Sequence, residues 1–426
     1  MSTPASIPVD PQRRRTAWRI TAYLGVAAAL NYGDRAAISS VFPLLRDDLG
    51  ISDASLGLVG AVFLWSYALC SPVAGILADR VSRSALIAWS LALWSLVTAL
   101  TGLANGLATL IILRLALGVS ESLFLPSAIA LLGDHHGTAT RAKAMSVLSV
   151  GLSVGMIVGG TSAGYLAQHY GWRLGFWVLG LLGVGLALVH RRFLVDGPTK
   201  IGPSAAARPS LLVSLRYLAR VPTYHLLLLK TMLAGIGIWI FLNWMPLYFH
   251  ETFDMGLGAA GFAGTFMLSI SAMLGTAGGG WLSDRLAVRD PRHRLLLLSL
   301  SYFAATPFLL VFLTRPSFVV ISAALVAFSL LRGLGQSNEN PCLCEVVPPQ
   351  FRSTAVGFMN CLATAAGGAG VLLAGLLKRE FGLSAIFAGV SLAVLVAGLA
   401  LLAGYFVFMR RDIERAQAYA VSTEGV

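Results

Sequence analysis

Charge is what this sequence has least of. Only 12% of its 426 residues are Asp, Glu, Lys or Arg, against 57% hydrophobic, and the mean hydropathy is +0.77. So sparse a polar complement excludes a soluble domain of this length. Cysteine is also scarce. Cys70, Cys342, Cys344 and Cys361 all fall within predicted spans, which excludes a disulfide framework and suits small packing residues. No Walker motif is present, so ATP is not the energy source. There is no nucleophile, base and orienter set, which argues against an enzyme. The adjacent histidines of "GDHHG" (133–137) make a poor metal site, and no cofactor is expected.

Long apolar runs fill the space that charge leaves. A helix needs about 20 mostly apolar residues to cross roughly 30 Å of hydrocarbon. Such stretches start near residues 17, 53, 84, 107, 142, 171, 222, 257, 295, 317, 353 and 383. They predict an all-α polytopic membrane protein of twelve transmembrane helices. Their high Gly, Ala and Ser content suits close packing in lipid. The first run follows Arg13-Arg14-Arg15 as a signal peptide would, but it is too long for one and lacks a cleavage pattern.

The net charge of +12 is explained by topology, and a nucleic-acid partner is not needed. With both termini inside, external loops hold only Arg46, Arg173, Arg315, Lys378 and Arg379. Arg35, Arg114, Lys230 and Arg332 lie within spans, and the rest of the 31 basic residues face the cytoplasm. That is the positive-inside pattern. It predicts a bacterial inner (plasma) membrane protein, multi-pass, with cytoplasmic termini and the lipid bilayer as its surroundings.

The longest weakly apolar interruption, His190 to Arg220, contains Pro198, Pro203 and Pro209 and divides the spans six and six. The predicted organisation is a cytoplasmic tail (1–16), a six-helix bundle (17–195), a cytoplasmic linker (196–220), a second six-helix bundle (221–409) and a C-terminal tail (410–426). The halves echo each other: "GILADRVSR" (75–83) follows the second span and "GWLSDRLAVR" (280–289) follows the eighth, 205 residues on. Paired halves imply a rocking transporter with a midplane site.

The charges inside spans are the candidate site. Asp34 and Arg35 sit in the first span. Arg114 and Glu121 sit in the fourth, seven apart and so on one helix face. Arg332 lies near the middle of the tenth span. It precedes "QSNENPCLCE" (336–345), where Pro341 interrupts the helix. Gln336, Asn338 and Asn340 suit the hydroxyls of a polyol or sugar-like ligand; they could equally satisfy the broken helix. Asn243, with Trp239, Trp244 and Tyr248, could line the site from the seventh span. Lys230, about two turns from the cytoplasm, is expected to snorkel.

These motifs resemble the major facilitator superfamily over nearly the whole length. In that superfamily the Gly-x-Leu-x-Asp-Arg loop braces the cytoplasmic gate. The resemblance assigns that role to Gly75, Asp79, Arg80 and Arg83, and more weakly to Gly280, Asp284 and Arg285. Within it, "NYGDR" (31–35), Arg114 with Glu121, Pro126, "WMPLYF" (244–249) and "GFMN" (357–360) resemble the anion:cation symporter family. The resemblance implies proton coupling at Asp34 and Glu121, and substrate contact at Arg35, Arg114 and neighbours such as Asn31, Tyr32 and Asn360. Spinster-type lipid transporters share the same charges and resemble "WSLVT" (94–98).

The expected activity is proton-driven import of a small organic anion, such as a sugar acid, by a monomer. Counting Arg35, Arg114 and Arg332 against Asp34, Glu121 and Glu339 makes the empty, ionised cavity neutral. One proton then readies it for a monovalent anion. A lysolipid or drug exporter working by proton antiport is the alternative.

Overall fold

The computed structural model describes residues 11–196 and 209–424. Among these the chain is helical and contains no strand. The first half holds α1 (Pro11–Ser40), α2 (Phe42–Leu49), α3 (Asp53–Arg80), α4 (Arg83–Thr101), α5 (Leu107–Ser122), α6 (Phe124–His135), α7 (Thr138–Tyr170), α8 (Trp172–Leu188) and the single turn α9 (His190–Phe193). After α10 (Leu211–Leu218), the second half holds α11 (Pro222–Phe253), α12 (Leu257–Ala287), α13 (His293–Leu310), α14 (Phe318–Gln336), α15 (Glu339–Val346), α16 (Pro349–Val407) and α17 (Met409–Glu424).

By length and composition, nine helical stretches among the described residues can cross a membrane. Two of them are α5 continued by α6, and α14 continued by α15. The other three of the expected twelve are a second arm of α16, the 17-residue α8, and α1, whose Asn31, Asp34 and Arg35 dilute its apolar character. α16 is 59 residues long and breaks at Gly382, where φ is 72°. Its first arm reaches the start of α3, since Gly375 packs on Asp53. Gly404, on its second arm, packs on Leu226 and Leu295 at the opposite end. The chain therefore reverses at Gly382, a left-handed position that glycine occupies without strain.

The segment expected as a C-terminal tail is largely helix α17, and it caps α11. The Asp412 carboxylate accepts from the Thr223 backbone N–H at 2.9 Å, one of the orphan donors of a helix start. About half of the expected linker, residues 197–208, lies outside the described residues.

Packing within the first half is tightest between α1 and α7. A Cβ on Gly155 would sit 2.1 Å from the Ala29 carbonyl oxygen, and one on Gly159 2.2 Å from Gly33 Cα. Bare backbones thus set the spacing of this pair, as small-residue seams do in lipid. The halves meet where α3 faces the first arm of α16 and where α7 faces α12.

That contact is one-ended. At the end holding α2 and the turn after α11, Arg46 bonds Glu251 at 2.9 Å, and Lys378 bonds both Glu251 (2.8 Å) and Asp53 (3.1 Å). Further in, Trp65 Nε1 donates to the Ala365 carbonyl at 3.0 Å and Cys361 Sγ to the Ala68 carbonyl at 3.3 Å. Nearer the termini, no hydrogen bond or ion pair joins the halves among the described residues. A Cβ on Gly75, Gly278, Gly280 or Gly357 would meet nothing within 4 Å. Among the described residues the halves are bonded to each other at the end away from the termini, the closed end, and not at the end that carries them, the open end.

Candidate functional site

α1 and α5 carry the first group of charges. Arg35 and Glu121 find each other: Arg35 Nε donates to Glu121 Oε2 at 2.8 Å, with Glu121 fully buried. One helical turn back, Asn31 accepts from Arg35 Nη2 at 3.2 Å. The guanidinium lies over the rings of Tyr67 (4.5 Å), Tyr32 (4.6 Å) and Phe63 (5.1 Å). Each such contact stabilises a desolvated cation by about 0.5–2 kcal/mol. Arg35 is therefore held by its own counter-ion and an aromatic cage.

Asp34 points to α4, where Thr98 Oγ1 donates to its Oδ2 at 2.9 Å; its Oδ1 is buried without a partner. Arg114 is 2% exposed and forms no hydrogen bond or ion pair among the described residues, and its Nε is an orphaned buried donor. Burying an unpaired guanidinium costs several kcal/mol.

The second half repeats this arrangement with a different base. Lys230 is fully buried and pairs with Glu339. Gln336 bridges them, accepting from Lys230 at 3.3 Å and donating to Glu339 Oε2 at 2.6 Å, and Thr231 donates to Glu339 Oε1 at 2.9 Å. The expectation that Lys230 snorkels is overturned, because the break after α14 brings Glu339 to it at depth. Gln336 is likewise committed to this pair. Asn338 spends its donor group on the Leu334 carbonyl at 3.1 Å and on the Gly335 carbonyl, which also accepts from its own backbone N–H, at 3.4 Å.

Arg332 stands apart. Among the described residues it makes no ion pair, its Nε is a second orphaned donor, and it borders a small pocket with Leu233, Gly237, Tyr302, Phe328 and Val390. The signal for this unit was in the sequence. Arg332 and Glu339 are seven apart, as are Arg114 and Glu121. In each half, a base on the first helix meets the glutamate, and the arginine two turns before that glutamate is left over. The units are staggered. Arg114 is seven residues from the start of α5 and Arg332 fourteen from the start of α14, a difference of about 10 Å along the helix.

The remaining candidates lie elsewhere. Asn243 donates to the Trp239 carbonyl at 2.9 Å and sits against Gly60 at the closed end. Asn360 is exposed. Arg83 bonds Asp134 and the Ala78 carbonyl, Asp284 pairs with Arg294 at 3.3 Å, and Arg285 stacks on Trp281 at 3.7 Å. Arg80 is exposed. The side chain of Asp79 lies outside the described residues. None of these contacts crosses between the halves. Among the described residues, no three His, Cys, Asp or Glu side chains gather as a metal site.

Comparison with known proteins places this geometry. The chain is 26% identical to an MFS-type efflux pump of Mycolicibacterium smegmatis, over 97% of this chain and 99% of that one. It is 25% identical to a hexuronate transporter of Bacillus subtilis, over 89% and 91%. Its fold matches a bacterial homologue of the human lysosomal transporter Spinster, solved inward-facing and unoccupied. The TM-score is 0.74, at 21% identity, covering 96% of this chain and 99% of that one. The family model described as Major Facilitator Superfamily matches residues 24–370 and 279–421. With span content, fold and family model in agreement, the chain is a membrane transporter, not an enzyme, and belongs to the major facilitator superfamily.

Proposed function

We propose that this transporter imports a small organic anion, such as a sugar acid or another carboxylate, together with protons. The observation that carries the reading is Arg114, a guanidinium buried beside Glu121 and Asp34 yet bonded to neither. A carboxylate can take such a group bidentately. The charges of the first half balance when all are ionised, and a proton on Asp34 or Glu121 leaves one positive charge for an anion. Proton and anion then each favour the binding of the other. Alternating access follows from opening the closed end while the open end shuts, with Gly75, Asp79, Arg80, Arg83, Asp284 and Arg285 bracing the second event. The positive-inside pattern supports a cytoplasmic open end, in a bacterial inner membrane. The hexuronate transporter among its relatives supports the substrate class.

A second reading, export of a lysolipid, amphiphile or drug by proton antiport, draws on the apolar walls around Arg332 and on the efflux pump among the relatives. Ligand-induced thermal stabilisation of the purified protein separates the two, since a ligand of the native state raises its apparent stability. Sugar acids are expected to stabilise it, more at pH 6 than at pH 8, and Arg114→Ala to lose the effect while still folding. Stabilisation by lysolipid alone would remove the anion reading.

A further inference from the structure

The start of α1 carries charge that the transport site does not use. Pro11, Arg14, Arg15, Trp18, Arg19 and Ala22 line an open groove of about 680 Å³ at the end that carries the termini. No carboxylate lines it, and Arg14, Arg15 and Arg19 form no ion pair among the described residues. Arg15 and Arg19 are four residues apart on one helix, where like charges repel each other.

The groove is held in shape by its neighbours. Arg19 Nη2 donates to the Arg192 carbonyl at 2.9 Å, and its guanidinium lies 5.6 Å from the centre of the Phe193 ring. Phe193 stacks on Tyr23 at 5.7 Å, and the Tyr23 hydroxyl donates to the Leu186 carbonyl at 3.0 Å. Trp18 is half-buried, edge-on to His136 at 5.1 Å. Arg15, Arg19, Ala22 and Val26, three or four residues apart, form one exposed face of α1. Along that face charge gives way to apolar surface within about 16 Å. A soluble anion would use only its charged end. A molecule with an anionic head and a hydrocarbon tail uses all of it.

We propose that this groove binds an anionic phospholipid of the adjoining leaflet. Its phosphate sits among Arg14, Arg15 and Arg19, as guanidiniums suit phosphate oxygens. Trp18 lies at the headgroup boundary, where indoles are favoured, and an acyl chain runs along Ala22 and Val26. The positive-inside pattern supports this leaflet as the cytoplasmic one. Charge complementarity selects the occupant, because a zwitterionic headgroup would bring its own cation to the three arginines. The site does not rest on the substrate reading: none of its residues is a substrate or proton candidate, although the helix it occupies also carries Asp34 and Arg35.

The test uses the full-length protein in detergent and native mass spectrometry, with phosphatidylglycerol and phosphatidylcholine of the same acyl chains. Each basic residue near a membrane surface strengthens anionic-lipid binding about fivefold, so one phosphatidylglycerol is expected to bind about tenfold tighter than phosphatidylcholine, or more. Arg14→Gln with Arg15→Gln leaves the Arg19 contacts intact and should bring the two lipids within about threefold. Arg216→Gln with Arg289→Gln removes two exposed arginines elsewhere at that end and should keep the preference. Equal binding of the two lipids by the native protein overturns the proposal. So does a preference that survives Arg14→Gln with Arg15→Gln. A preference that falls as far in the Arg216 and Arg289 variant also overturns it, since the attraction would then belong to the whole basic face. Glycerol 3-phosphate, the headgroup phosphate without chains, should not displace the lipid at about tenfold excess, because it buries no hydrocarbon. Displacement would make the groove a site for a soluble phosphate and remove the lipid.

Discussion

Replacing Glu121 by glutamine isolates its charge from its shape. Glutamine keeps an oxygen to accept from Arg35 Nε, now 2.8 Å from the carboxylate, and fixes the site in the charge state of the protonated acid. Removing one partner of a buried pair costs about 3–5 kcal/mol. Here the three rings around Arg35 and the Asn31 oxygen offset part of that, so the variant should fold with a lowered melting temperature. The functional effect is larger and differs in kind. If one proton moves with each anion, a gradient of one pH unit is worth about 1.4 kcal/mol and supports about tenfold accumulation. A carrier that never releases its proton draws nothing from that gradient. In proteoliposomes with the membrane potential clamped at zero, Glu121→Gln should exchange labelled for unlabelled substrate, because exchange needs only the loaded carrier to shuttle. Its accumulation ratio under the imposed gradient should stay near one. Tenfold accumulation by this variant would refute the assignment and move the coupling proton to Asp34.

Lys230→Met leaves Glu339 buried without its base and should destabilise the protein by about 3–5 kcal/mol; adding Glu339→Leu should recover most of the loss, read by thermal unfolding. At the closed end, Lys378→Met removes contacts to Asp53 and Glu251, groups about a quarter to a third exposed, each worth about 0.2–1 kcal/mol. The closed state should weaken by about two- to thirtyfold, seen as faster labelling of a thiol at Asn243→Cys by a reagent added at that end. Gly155→Leu should drive a side chain into the Ala29 backbone and abolish stable insertion, whereas Gly75→Ala, with open space around it, should leave folding unchanged.

Much of the architecture was legible because lipid imposes a simple rule. Apolar runs of sufficient length report crossings, and loop arginines report orientation. Arg114 and Glu121 were legible as one face from their spacing alone. The Arg35–Glu121 pair was not, since spacing within a helix says nothing of which neighbouring helix turns toward it. Lys230 was misread for a related reason. Eight residues from the start of α11 is about 12 Å, within reach of the membrane surface for a long side chain, and only tertiary packing reveals the acid waiting at depth. Asn338 looked like a ligand-reading amide and turned inward, because a broken helix exposes carbonyls that must be bonded by something.

The four side chains that hold the halves together at the closed end form a quadrupole. Arg46 and Asp53 come from one half, Glu251 and Lys378 from the other, two of each sign, with opposite charges adjacent. Such a set has no net charge, and its field dies away faster than that of a single pair. Solvent ions screen what remains beyond about 10 Å. The attraction is therefore felt at contact and vanishes after a small separation, so it fastens the end without drawing it shut from afar. It also gives an approaching anion no positive mouth to settle on.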